Sequence, residues 1–182
     1  MIQAPPSHER RNHERSKPSV LADVLYDAFY SAAVGGAALG LFFLIVDSAR
    51  GEPFFTPSLM GSVLFLGVAA DAVTEVRLDM VAYFTMIHFA LFGAVGLALA
   101  ILVYEVEVHS RHPRELVGAL FLVLEGGFLI GANLFMPGVV SAIGFGPIVV
   151  GNLLTAVAMA LFLMRSHNPD AWNRLKAGKP FV

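Results

Sequence analysis

Residues 53–70 read PFFTPSLMGSVLFLGVAA and run directly into the polar stretch DAVTEVRLD at 71–79. Whether this apolar piece crosses a bilayer decides the fold. A helix needs about 20 apolar residues to cross a hydrocarbon core of about 30 Å, so Pro53–Ala70 is barely long enough. Thr56-Pro57 reads as a helix start, with Thr56 as the cap and Pro57 at the first helical position, which predicts a short helix over about 57–70.

Around it lie four longer uncharged or nearly uncharged stretches, at 28–46, 80–104, 116–135 and 138–164. The second carries His88, the third carries Glu125, and the fourth carries Pro147, which should kink it or end its first portion. The polar, Pro-bearing residues 1–18 lack apolar periodicity and are expected to be a disordered basic cytoplasmic tail. This tail bears Glu9 and Glu14 and precedes a helix too long for a signal-peptide h-region, so the first span is expected to stay attached. Residues 166–182 are expected to form a cytoplasmic amphipathic tail, with Asn168 capping a short helix that Gly178 ends.

The cations settle the crossing. Arg10, Arg11, Arg15 and Lys17 precede the first span; Arg111 and Arg114 separate the second from the third; Arg165, Arg174, Lys176 and Lys179 follow the last. Only Arg50 and Arg77 remain, and they flank Pro53–Ala70. If that stretch does not cross, ten of the twelve cations fall on one side. If it crosses, they divide almost evenly. The positive-inside bias therefore favours four spans with both termini cytoplasmic. The predicted fold is an all-α integral membrane protein, a four-transmembrane-helix bundle over 19–165, with one short re-entrant or interfacial helix in the long outer loop. A re-entrant helix must be shielded by protein, because lipid satisfies no open backbone groups.

Composition agrees. The 182 residues are 57% hydrophobic and 14% charged, whereas soluble domains carry roughly 25% charged residues. A soluble enzyme and a nucleic-acid binder are both disfavoured. The absence of cysteine excludes disulfides, thiolate metal sites and a cysteine nucleophile. The composition suggests a bacterial inner membrane, with the lipid bilayer, other membrane subunits or further copies of the chain as partners.

Polar residues at membrane depth are the main candidate site. Counted from the outer span ends at about 1.5 Å per residue, His88 lies roughly 12 Å deep, Glu125 roughly 15 Å and Asn152 roughly 20 Å. Intramembrane ionisable groups usually face protein or water and have a partner. A Glu125–His88 pair with Asn152 nearby would move protons or grip a polar ligand; the plainer alternative is a structural clamp between helices. Haem or chlorin ligation is conceivable only at His88, and no cofactor is otherwise predicted.

Three further patterns are weaker. Gly35-Gly36-x-x-x-Gly40 and Gly126-Gly127-x-x-x-Gly131 share one spacing, and Gly93 and Gly96 add a small patch; such residues let helices approach closely in lipid. Glu105, His109 and His112 could share a helical face and hold a metal, although His112 precedes Pro113, which disfavours helix there. Asp71, Glu75 and Asp79 recur at i, i+4 and i+8, an outer acidic stripe if helical. P-loop, nucleophile-elbow and H-E-x-x-H motifs are missing from the sequence. With no catalytic set evident, the expected role is non-enzymatic, an accessory or assembly subunit of a larger membrane complex. The alternative is a small oligomeric transporter or proton-coupled carrier using Glu125 and His88.

Overall fold

A computed structural model describes residues 20–106 and 113–167, together with 173, 176 and 177. The described residues are helical, without strands: α1 (Val20–Ala49), α2 (Phe55–Leu66), α3 (Leu78–Val106), α4 (Pro113–Phe135), α5 (Val139–Ile143) and α6 (Phe145–His167), with a 3-10 turn at Ala70–Ala72. Four of these, α1, α3, α4 and α6, are long and apolar enough to cross a membrane, and α2 is shorter. Their outward faces carry large apolar side chains, among them Leu41, Met86, Leu122 and Leu134. A water-exposed protein rarely displays so much contiguous apolar surface.

Side-chain contacts fix how the helices run. Along α1 and α3, Gly96 lies against Ala28 and Ser31, Gly35 against Phe92, and Gly36 against Phe89. The numbering rises on one helix as it falls on the other, so the pair is antiparallel. The same holds for α1 and α6, where Tyr30 stacks near Phe162, Gly35 meets Met159, and Gly151 meets Leu39 and Phe42. Because α1 and α3 are antiparallel, the chain leaves α1 and enters α3 at the same end of the molecule, and α2 makes no net crossing between them.

Within that excursion, α2 runs alongside the first turns of α3 in the same direction. Ser58 Oγ accepts the Arg77 N–H at 2.8 Å, Gly61 sits against the Met80 carbonyl, and Phe65 lies 5.7 Å from Tyr83 between ring centroids. At 12 residues, α2 is about 18 Å long at 1.5 Å per residue.

Its ends differ from the sequence expectation. The helix starts at Phe55, not Pro57, and Phe54 stands at the cap position with φ 70°. Thr56 lies inside the helix, and its N–H and hydroxyl donate to Asp47 Oδ2 and Oδ1, both at 2.7 Å. The cap is thus a carboxylate from the end of α1, placed where open N–H groups and the helix dipole favour an anion. Asp47 can reach because α1 stops in a Schellman turn. Gly51 takes φ 84°, its N–H donates to Ser48 O, and the Glu52 N–H donates to Asp47 O.

The stretch expected as one span over 138–164 is two helices. Gly144, at φ 91°, separates α5 from α6, so Pro147 falls in the first turn of α6, where its missing N–H is harmless. The terminal tails and the stretch 107–112 lie outside the described residues, apart from a helical hydrogen bond from Ala177 N to Asn173 O.

Helix packing follows the order α2, α3, α1, α6, α4. Although consecutive, α3 and α4 do not pack as a pair along their lengths. At the end away from α2 their inward faces share a cluster built on Phe92, Leu120, Leu124 and Met159. A second cluster, with Leu59, Val63, Val139 and Ile148, ties α2 to α5 and α6 at the other end.

Candidate functional site

Where α3 and α4 would close the fourth side of the bundle there is a cavity of about 680 Å³. Its walls are residues 36–44 of α1, 81–95 of α3, 123–132 of α4, and Ile148 and Asn152 of α6, with Phe54, Thr56, Pro57 and Met60 at the α2 end. On all four long helices most of the lining residues lie toward the α2 end, and Ala94, Val95 and Val123 carry the wall to about mid-helix. Phe92 and Leu124 line its deep end, and the cluster they form with Leu120 and Met159 packs behind them. The volume is in the range of ordinary small-molecule sites, about 300–1,000 Å³.

Glycines make much of this space. A Cβ on Gly40, Gly127 or Gly131 would meet nothing within 4 Å, and all three line the cavity. The two matching glycine patterns therefore differ in environment. Gly35 and Gly36 lie hard against Met159, Phe92 and Phe89, whereas Gly126, Gly127 and Gly131 have open space beside them. Of the extra pair, Gly96 abuts α1 and Gly93 is open.

Among the described residues, four polar side chains line the cavity: Thr56, Thr85, His88 and Asn152. His88 Nε2 lies 3.0 Å from the Gly36 carbonyl. A carbonyl only accepts, so Nε2 carries the proton, and in the neutral ring Nδ1 is an acceptor. The ring is held among Phe84, Phe89 and Phe92, with centroids 6.1, 5.4 and 4.9 Å away. A metal at His88 would have to take Nδ1 or break the bond to Gly36.

Glu125 does not bond to His88. Its Oε2 accepts the Asn152 side-chain N–H at 2.8 Å, joining α4 to α6, and its Oε1 is buried with no hydrogen-bond partner. The expected polar layer thus divides in two: a Glu125–Asn152 clamp between α4 and α6, and a His88–Gly36 clamp between α3 and α1. Asn152 and His88 meet in sharing the cavity wall.

Asp71, Glu75 and Asp79 do not form a helical stripe. Asp71 lies in the 3-10 turn, Glu75 in a bend, and Asp79 in the first turn of α3. The local cause is the extended backbone at Val73. Asp79 instead takes two bonds from Arg77, at 2.6 and 3.2 Å, and this pairing raises the Arg77 guanidinium above its ordinary value, through the hydrogen bond first and the charge second. His109 and His112 lie outside the described residues, and of Glu105 only the helical backbone is described. Among the described residues no group of three or more His, Asp or Glu is placed to hold a metal.

Sequence reasoning missed Asp47. It is 1% exposed, and its carboxylate sets the start of α2 and hence one wall of the cavity. An acidic residue just before a Gly-bearing turn, a few residues ahead of a Thr-Pro helix start, was the available signal. The wall also includes Phe54, the one non-glycine with positive φ among the described residues. Non-glycine backbone in that region costs about 1–2 kcal/mol and concentrates at functional sites. Compared with protein-family models, curated proteins and solved structures, the chain matches none.

Proposed function

We propose that this chain is a non-enzymatic, four-span membrane protein that holds a lipophilic small molecule, with α2 as a re-entrant helix closing one end of the binding space. The observation that carries this reading is the cavity between α3 and α4, apolar on nearly all sides and, among the described residues, set toward the α2 end of the helices. That placement suits a lipid-like body. An accessory subunit completed by a partner's transmembrane helix would call for a groove along the whole bundle, and here the Phe92–Leu120–Leu124 cluster brings α3 and α4 together at the deep end of the cavity. A carrier would need a route past the same cluster. Both termini on the cytoplasmic side, and α2 on the outer side, follow from the distribution of Lys and Arg.

The test uses the open glycines. A leucine at Gly127 or Gly131 meets no clash at Cβ and grows into the cavity. Protein extracted in mild detergent should carry a lipophile, detectable by solvent extraction and mass spectrometry, and Gly131→Leu should lower its occupancy severalfold while the protein elutes and melts as before. Equal occupancy in the folded variant rules the cavity out as the site.

A further inference from the structure

The cavity's polar groups share a chemical bias. Thr56 Oγ1 donates to Asp47 Oδ1 at 2.7 Å, and Thr85 Oγ1 donates to Val81 O at 2.7 Å. His88 Nε2 donates to Gly36 O at 3.0 Å, and Asn152 Nδ2 donates to Glu125 Oε2 at 2.8 Å. Every polar side chain on the wall thus spends a hydrogen on the protein itself. Each hydroxyl hydrogen and the Nε2 hydrogen are used up; Asn152 alone keeps one further N–H. What remains on these four side chains is mainly acceptor capacity: two hydroxyl oxygens, the imidazole Nδ1 and the Asn152 carbonyl oxygen. A ligand that only accepts hydrogen bonds would face lone pairs, whereas a donor would be matched.

We infer that the occupant is an isoprenoid-like or long-chain amphiphile bearing a hydroxyl, an alcohol or phenol, whose O–H is received in the layer of His88 and Asn152 while its apolar body fills the glycine-lined space. This rests on the cavity being a ligand site, and it adds the donor requirement. The rings of Phe84, Phe89 and Phe92 around His88 give the acceptor an apolar setting, in which the presence or absence of one O–H weighs on affinity. A site built to hydrogen-bond a hydroxyl discriminates against a ligand without it, because the buried partner is left unpaired.

The test measures equilibrium binding of radiolabelled geranylgeraniol to the full chain in lipid nanodiscs, with unlabelled geranylgeraniol and its methyl ether as competitors. The ether keeps the body and the oxygen and exchanges the donor hydrogen for a methyl group. The alcohol is expected to compete about tenfold more strongly, the scale of one neutral hydrogen bond, and His88→Phe should bring the alcohol close to the ether while leaving the ether unchanged. Equal competition by alcohol and ether in the wild-type protein overturns the donor requirement and leaves the ligand-holding reading intact. No saturable binding, or binding undiminished in Gly131→Leu, overturns that reading and this inference with it. The wild-type comparison decides even if His88→Phe fails to fold.

Discussion

At the scale of single residues, identical residue types do opposite work depending on what faces them. Gly61 lies against the backbone carbonyl of Met80, and a methyl group there cannot be accommodated by rotating a side chain. Gly131→Ala adds a methyl group in open space and removes a helix-weakening glycine. Gly61→Ala is expected to lower stability by about 1–3 kcal/mol, while Gly131→Ala is neutral or stabilising by up to about 1 kcal/mol; thermal unfolding in detergent measures both. The sequence spacing announced small residues but not their neighbours, because spacing fixes a position along a helix and says nothing of the surface opposite. Glu125 teaches the same lesson. Span lengths yield an expected depth beside His88, yet depth is one coordinate, and Asn152 is the partner that the packing of α4 on α6 selects. A double-mutant cycle between Glu125→Gln and Asn152→Ala should show a coupling of at least about 0.5 kcal/mol, and the cycle between Glu125→Gln and His88→Ala should be additive within about 0.5 kcal/mol.

At the scale of elements, α2 illustrates how a local pattern misplaces a helix start. Thr-Pro is a good beginning signal, and a helix does lie there, but it opens two residues earlier because Asp47 supplies the anion from another helix. A cap delivered across a turn leaves only a faint mark, an acidic residue ahead of a Gly-bearing turn. Removing it has a specific cost: Asp47→Ala leaves the Thr56 N–H and hydroxyl without their acceptor and should destabilise α2 by about 2 kcal/mol. Amide exchange in residues 55–66 should accelerate while the centres of α1 and α6 stay protected. Uniform acceleration throughout would mean that α2 has no stability of its own to lose. The division of the last span at Gly144 was half legible. Pro147 signalled a break, and only the positive φ three residues earlier shows where the chain turns.

At the scale of the whole molecule, the count of long apolar helices was readable from composition. The unclosed side between α3 and α4 was not, since hydropathy cannot report which consecutive helices pack. The topology has a direct test in this cysteine-free chain. Single cysteines replacing the exposed Ser48, Thr74 and Ser141 should all be labelled by a membrane-impermeant maleimide from one side, and a cysteine at Ser166 only from the other. Labelling of positions 48 and 74 from opposite sides would mean that α2 crosses.

The placement of the cavity toward the α2 end of the helices carries one last implication. If the proposed lipophile fills it in a bilayer, exchange is expected with the leaflet on that side, because the packed cluster at Phe92, Leu120, Leu124 and Met159 closes the deep end. The occupancy of the protein would then track the composition of one monolayer and be blind to its opposite, so a bilayer made asymmetric by design would load it or leave it empty according to which face holds the guest.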